Sequence, residues 1–314
     1  MNPITKEKNK LGFVGVGYMG HPIVQRLLAA GFYVAAYDRN RSKAEALIPF
    51  GGTVAESIAE LASTCDVLLS CLPTDEAVLA VYKGPDGAFA HALRGALAID
   101  MSTVNPQTSL ELAELGSERG LEVLDVTISG STPAAEQGAL ILFGGGDQGC
   151  FSAAESIFSV IARKYFYLGP NGCGAVMKLV VNALLGIGMQ AIAEAVAFGE
   201  KSGLKRNRLL EVLSQTTVVA PAHAGKLQRA MQNDYSPQFP LRLMHKDFGL
   251  ILSLAAAAGA DMPATRAAYE VNSTQFTQAP ELDFSAVILE MEKRAHLGSA
   301  DQVRTQIGIA ASQK

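Results

Sequence analysis

Gly15, Gly17 and Gly20 stand in G-x-G-x-x-G spacing within Leu11–Gly20. They follow an apolar run that reads as a strand, and they open a helical pattern. In that setting the first glycine allows a tight turn, and the second lets the backbone approach a pyrophosphate. The third lets helix and strand pack closely, and the free N–H groups of the helix start face the anion. Three glycines alone are weak, since any glycine-rich turn shares them. Context strengthens them: Tyr33–Tyr37 reads as a second strand and ends in Asp38, eighteen residues beyond Gly20. An acid about 20 residues on is what an adenosine ribose requires. Dinucleotide binding is therefore expected. A carboxylate at Asp38 accepts from a free 2′-hydroxyl and repels a 2′-phosphate, whereas Arg39, with Arg41 nearby, would clamp that phosphate. The reading leans to NAD and leaves NADP open.

A second candidate is Lys178, set among Val176, Met177, Leu179, Val180 and Val181, with Asn182 one helical turn on. An ammonium held in a partly apolar site loses some of its proton affinity. Such a lysine could protonate a carbonyl oxygen as hydride arrives, or take a proton from an alcohol as hydride leaves. Asn182 would orient it or hold the substrate oxygen. The plain alternative is a lysine that snorkels from a helix surface, its stem lying on apolar neighbours.

These residues need elements to position them. Apolar runs at Leu11–Val14, Tyr33–Tyr37, Val67–Leu72, Ala96–Ile99, Leu121–Leu124, Ala139–Phe143 and Tyr165–Leu168 read as strands. Helical patterns lie between most of them, one opened by Asn105-Pro106 as N-cap and first helical residue. This alternation predicts a doubly wound, mostly parallel α/β sheet of Rossmann type. After Gly172 the texture changes. Val176–Ser202 reads as one long helix ended at Gly203, and only helical segments come after it. The expected organisation is a dinucleotide-binding domain over residues 1–170 and an all-α domain over 171–314, joined by that helix.

Composition narrows the function. The 314 residues carry 26 basic and 30 acidic side chains, net −4, which gives no basic field for nucleic acid. Four cysteines without a C-x-x-C pair fit reduced, small apolar residues, and the five histidines show no metal spacing, so no metal is expected. Met1–Lys10 is polar and lysine-rich and does not read as a signal peptide. Val176–Gly199 carries Lys178, Asn182, Gln190 and Glu194, a load unsuited to a membrane span. A cytoplasmic protein without membrane partners is expected.

Taken together, the motifs resemble the β-hydroxyacid dehydrogenase family, within the 6-phosphogluconate dehydrogenase superfamily, over roughly Leu11–Arg294. Gly15–Gly20, with Tyr18 and Met19, is similar to the family's glycine turn. Cys71-Leu72-Pro73 resembles the segment that lines the cofactor, and Asp100–Thr103 the segment whose threonine, Thr103, lies near the nicotinamide. Asp125–Ser131 resembles the substrate signature, in which Ser129, Gly130 and Ser131 would hold a substrate carboxylate in the cleft between the domains. Gly174–Asn182 resembles the catalytic helix. The resemblance thus implies Lys178 as general acid/base and Asn182 as its partner. His245-Lys246-Asp247 resembles the pair whose lysine, Lys246, reaches the cofactor. Read unaided, Lys246-Asp247 is a surface pair on a helix.

Two departures stand out: Thr127 where the family has proline, and Ser131 where it has a second glycine. Both bear on the substrate more than on the reaction. The implied activity is NAD(P)-dependent interconversion of a small β-hydroxy acid, 3-hydroxyisobutyrate-like, with its semialdehyde or keto acid. The alternatives are imine reduction on the same fold, or a dinucleotide-binding module without turnover. The family implies a homodimer or homotetramer, for which the long helix and the apolar helical domain offer faces.

Overall fold

The computed structural model describes residues 1–297, so the end of the expected second domain, residues 298–314, lies outside the described residues. Eight strands form one sheet: β1 (Lys10–Val14), β2 (Tyr33–Tyr37), β3 (Thr53–Val54), β4 (Val67–Ser70), β5 (Leu97–Asp100), β6 (Glu122–Ser129), β7 (Leu140–Gly145) and β8 (Ala162–Tyr167). Their order is β3-β2-β1-β4-β5-β6-β7-β8. Every pairing is parallel except that of β6 with β7. The central strands are short apolar runs buried on both faces, as a helix-covered parallel sheet demands. One face packs Leu11, Phe13, Leu69 and Ile99 into the larger core, and the other packs Val14, Leu68 and Ala98 into a second. The predicted doubly wound architecture is what the chain adopts.

The differences are local and have causes. β6 runs to Ser129 although its apolar run stops at Leu124, because β7 returns antiparallel and pairs with Asp125–Ser129 beyond the end of β5. Asp125 and Thr127 break the apolar signal without breaking the strand. β3, only two residues long, leaves no pattern to read. The short helices Asp75–Tyr82 and Thr132–Glu136 are likewise too brief for periodicity to reveal.

By contacts, two compact units divide the chain at Leu179/Val180, inside the helix Cys173–Lys201. The reason is that the helix start is built into the sheet. Asp125 accepts from the Gly172 and Ala175 N–H groups, each at 2.9 Å, and the Thr127 hydroxyl donates to the Gly174 carbonyl at 2.8 Å. A side chain at Gly174 would put its Cβ 2.3 Å from the Asp125 carbonyl oxygen.

The second unit is all-helical over its described residues: the remainder of the long helix, then Arg206–Gln215, Pro221–Met231, Leu241–Ala257, Pro263–Gln278 and Val287–Arg294. By length and composition the long helix could span a membrane. Here it buries Met189, Ala193 and Val196 among the other helices, and Gly186 and Gly188 lie against the rings of Phe248 and His223. A buried carboxylate, Asp283, accepts from Lys226 Nζ and from the Gln238 and Phe239 N–H groups. It thereby fixes the turn that launches Leu241–Ala257.

Candidate active site

The C-terminal ends of β1, β2, β4, β5 and β6 bring the predicted first-unit residues to one edge of the sheet, where open α/β folds bind ligands. After β1 the chain turns at Gly15, with φ +93°, and enters the helix Gly20–Ala29. Any Cβ at residue 15 would lie 2.4 Å from the Cys71 carbonyl oxygen, and one at residue 20 would lie 2.0 Å from that of Gly15. At Gly17 no atom lies within 4 Å of such a Cβ. Two glycines are thus required by the protein itself, and the third faces open space. The helix start has no side-chain cap and no acid in its first turn, so its N–H groups keep their capacity for an anion. A dinucleotide's pyrophosphate fits this cradle. Met19 packs on the core beside it, and Tyr18 is exposed.

Asp38, just beyond β2, accepts from the Val16 N–H at 2.9 Å and from the Asn40 N–H at 2.8 Å. Its carboxylate ties the glycine turn to the end of β2. Arg39 is exposed, while Arg41 is held by Glu45 and Glu56.

Beneath Leu72-Pro73 and Thr103 lies a buried polar chain. Tyr82 donates to Ser70 (2.8 Å), Ser70 donates to Asp100 Oδ1 (2.6 Å), and Ser102 donates to that same oxygen (2.6 Å). The Leu72 N–H in turn donates to Ser102 Oγ at 2.9 Å. Burial pushes the Asp100 carboxyl up to about 6.

At the end of β6, Gly130 adopts φ +140°, and a Cβ there would meet Leu140 at 2.8 Å. Ser129 and Ser131 flank it, both half-buried, and the Ser131 side chain does not cap the helix it precedes. Thr127 is elsewhere in role. It is 1% exposed, and its hydroxyl fastens the long helix, a bond that proline could not make.

Lys178 is half-buried on the long helix, and Asn182 comes four residues later, 1% exposed. Asn182 Nδ2 donates to Asp247 Oδ2 at 2.6 Å, and its Oδ1 is a buried acceptor with no hydrogen-bond partner. A carboxylate only accepts, so this partner settles which end of the amide points where. Lys246 Nζ sits 3.0 Å from Asp247 Oδ1. Asp247 is therefore no surface residue: it is buried with Met244, Phe248 and Ile251. Its sequence signal was a charge at a core position of an apolar stripe spaced by three and four.

A domain described as the NAD binding domain of 6-phosphogluconate dehydrogenase matches residues 10–169. Another, described as the NAD-binding domain of NADP-dependent 3-hydroxyisobutyrate dehydrogenase, matches residues 172–290. Glyoxylate/succinic semialdehyde reductase 1 of Arabidopsis thaliana is 36% identical over 89% of this chain and 97% of its own. The 2-(hydroxymethyl)glutarate dehydrogenase of Eubacterium barkeri is 32% identical over 83% and 87% respectively. Among solved structures, Mycobacterium tuberculosis 3-hydroxyisobutyrate dehydrogenase with L-serine superposes with a TM-score of 0.80 at 31% identity, covering 89% of this chain and 98% of that one. With its NAD(P)-binding sheet, its glycine cradle and its long helix, the chain belongs to the 3-hydroxyisobutyrate dehydrogenase-like β-hydroxyacid dehydrogenases.

Proposed function

We propose that the protein is an NAD(P)-dependent oxidoreductase that interconverts a small β-hydroxy acid with its semialdehyde or keto acid. The observation that carries this is the fixed amide of Asn182, whose acceptor oxygen is left unfilled one helical turn from Lys178. A bound nicotinamide would supply or accept the hydride. The Ser129 hydroxyl and the backbone N–H groups of Gly130 and Ser131 hold the substrate carboxylate. The Lys178 ammonium gives its proton to the substrate oxygen in reduction and recovers it in oxidation, and Asn182 Oδ1 accepts from the substrate hydroxyl or from that ammonium. Lys246 steadies Asp247.

Of the two cofactors, NADP is the better supported. Asp38, the reason for favouring NAD, accepts one backbone N–H on each carboxylate oxygen and keeps lone pairs for a ribose hydroxyl, while Arg39 beside it is exposed and suited to a 2′-phosphate. Arg39→Ala should raise KM for NADPH about tenfold or more and leave KM for NADH nearly unchanged. The description of the matching second domain as that of an NADP-dependent enzyme, and a solved structure described with L-serine, itself a β-hydroxy acid, support the cofactor and the substrate class.

Lys178→Met tests the whole reading. General acid–base catalysis is worth roughly 10²–10⁴-fold, so kcat should fall by that order while the dissociation constant for NADPH holds. Undiminished turnover of C2–C5 semialdehydes would overturn the assignment, and preferential turnover of a cyclic imine would favour an imine reductase.

A further inference from the structure

The Asp100 cluster lies outside the groups that touch substrate, and its wiring is unusual. One carboxylate oxygen takes the Ser70 and Ser102 hydroxyls and, at 3.3 Å, the Ser102 N–H, while Oδ2 is buried with no hydrogen-bond partner. The residue is 2% exposed. A buried carboxylate is costly, and an apolar side chain would fill the space at less expense to stability.

The direction of each hydrogen bond shows what the acid does. A hydroxyl has one proton. Ser102 accepts from the Leu72 N–H, so its proton is available for Asp100 and is directed there. Ser70 accepts from the buried Tyr82 hydroxyl and passes its own proton to the same oxygen. Asp100 is thus the common end of two donor chains, one from each flanking segment. Backbone bonds complete the frame: the Cys71 N–H donates to the Val14 carbonyl, and the Met101 N–H to that of Ser70. Val14, Ser70 and Asp100 are register partners across β1, β4 and β5. The Cys71 carbonyl oxygen and the Leu72 side chain occupy the space where a Cβ of residue 15 would stand, at 2.4 and 2.9 Å. Whatever sets the 71–72 turn therefore sets one wall of the glycine turn.

We infer that Asp100 is a positioning residue for the dinucleotide: through Ser102 and the Leu72 N–H it holds the turns at 71–73 and 101–103 as one rigid wall against Gly15. This rests on the proposed NAD(P)-dependent function. It adds that the wall is set from below, by a carboxylate that never meets the ligand. Without that acceptor the Ser102 hydroxyl is free to rotate, the Leu72 N–H loses a fixed partner, and the turn samples positions that intrude on the pyrophosphate.

The test combines NADPH and NADH titration, read by nucleotide fluorescence, with hydrogen exchange at the Leu72 amide in the cofactor-free chain. In Ser102→Ala and Asp100→Ala the dissociation constant should rise about tenfold and Leu72 exchange should quicken by a similar factor. At saturating cofactor, kcat should change less than about threefold. Asp100→Asn keeps an acceptor for both hydroxyls and should bind within about threefold of wild type, at a lower Tm. Ser102→Ala retains the carboxylate and keeps the inference testable if Asp100→Ala does not fold. Wild-type affinity and Leu72 protection in Ser102→Ala, with only Tm lowered, would overturn the positioning role. Failure of the unaltered protein to bind either nucleotide would instead overturn the functional reading, and the Leu72 exchange rates would still decide the role of Asp100.

Discussion

Asn182 is a side chain with two unlike ends, and Asp247 decides which end is spent. Because the carboxylate takes the NH₂ group, the carbonyl end is the one left to receive a proton donor. Asp247→Ala should therefore lower kcat tenfold to a hundredfold with a smaller change in NADPH affinity, measured by steady-state kinetics and titration; an unchanged kcat would refute the orienting role. The second residue-scale expectation concerns pH. Asp100 is pushed up to about 6, first by burial and further by Asp125, its register partner on β6, against the pull of the Ser102 and Ser70 hydrogen bonds. Its folded carboxyl holds a proton more tightly than the unfolded one does at about 3.9. The stability it contributes is full below about pH 4 and is lost as pH rises through about 6. Asp100→Asn should flatten the pH dependence of urea midpoints across that window. At this scale the sequence was partly legible. Spacing located Gly15, Gly17 and Gly20, because turn geometry leaves marks along the chain, whereas Lys178 takes its proposed role from the resemblance. The tie from Asp38 to the glycine turn did not show, since its partner Val16 is distant in sequence, and the burial of Asp247 left only its place on an apolar stripe as a sign.

Among the elements, the start of the long helix is the one most dependent on another. Asp125 supplies from β6 what an N-cap side chain supplies from the preceding residue, satisfying two N–H groups with a charge placed at the positive end of the helix. Burial raises its carboxyl, and the backbone N–H groups pull it back down. Asp125→Ala would orphan both donors and should cost about 2–4 kcal/mol, read as a lower urea midpoint at unchanged slope. Thr127→Val removes one neutral hydrogen bond and should cost about 1 kcal/mol. Neither tether was readable beforehand. Asp125 lies in a stretch whose apolar pattern had stopped, and only the antiparallel return of β7 shows that the strand continues. The long helix itself was legible, because its length leaves an unambiguous period.

For the molecule as a whole, strand–helix alternation and then uninterrupted helix were enough to expect a doubly wound sheet and a helical second unit. The packing of the helix start with the sheet was not legible, because its sequence pattern is continuous with the rest of the long helix. On the second unit, Leu184 and Phe198 of the long helix are 71% and 75% exposed. Large apolar side chains left in water on a continuous helix favour association with a second copy. We expect a homodimer or homotetramer, and Leu184→Glu with Phe198→Glu should shift its mass toward the monomer in light scattering.

Residue 17 differs from its two companion glycines in what enforces it. No neighbouring atom forbids a methyl group there, so Gly17→Ala should melt like the wild type and yet fail to retain nucleotide. The constraint at that position is imposed by the visitor and not by the house. In any descendant that had abandoned the nucleotide, it is where a side chain could accumulate first, unpunished by the fold.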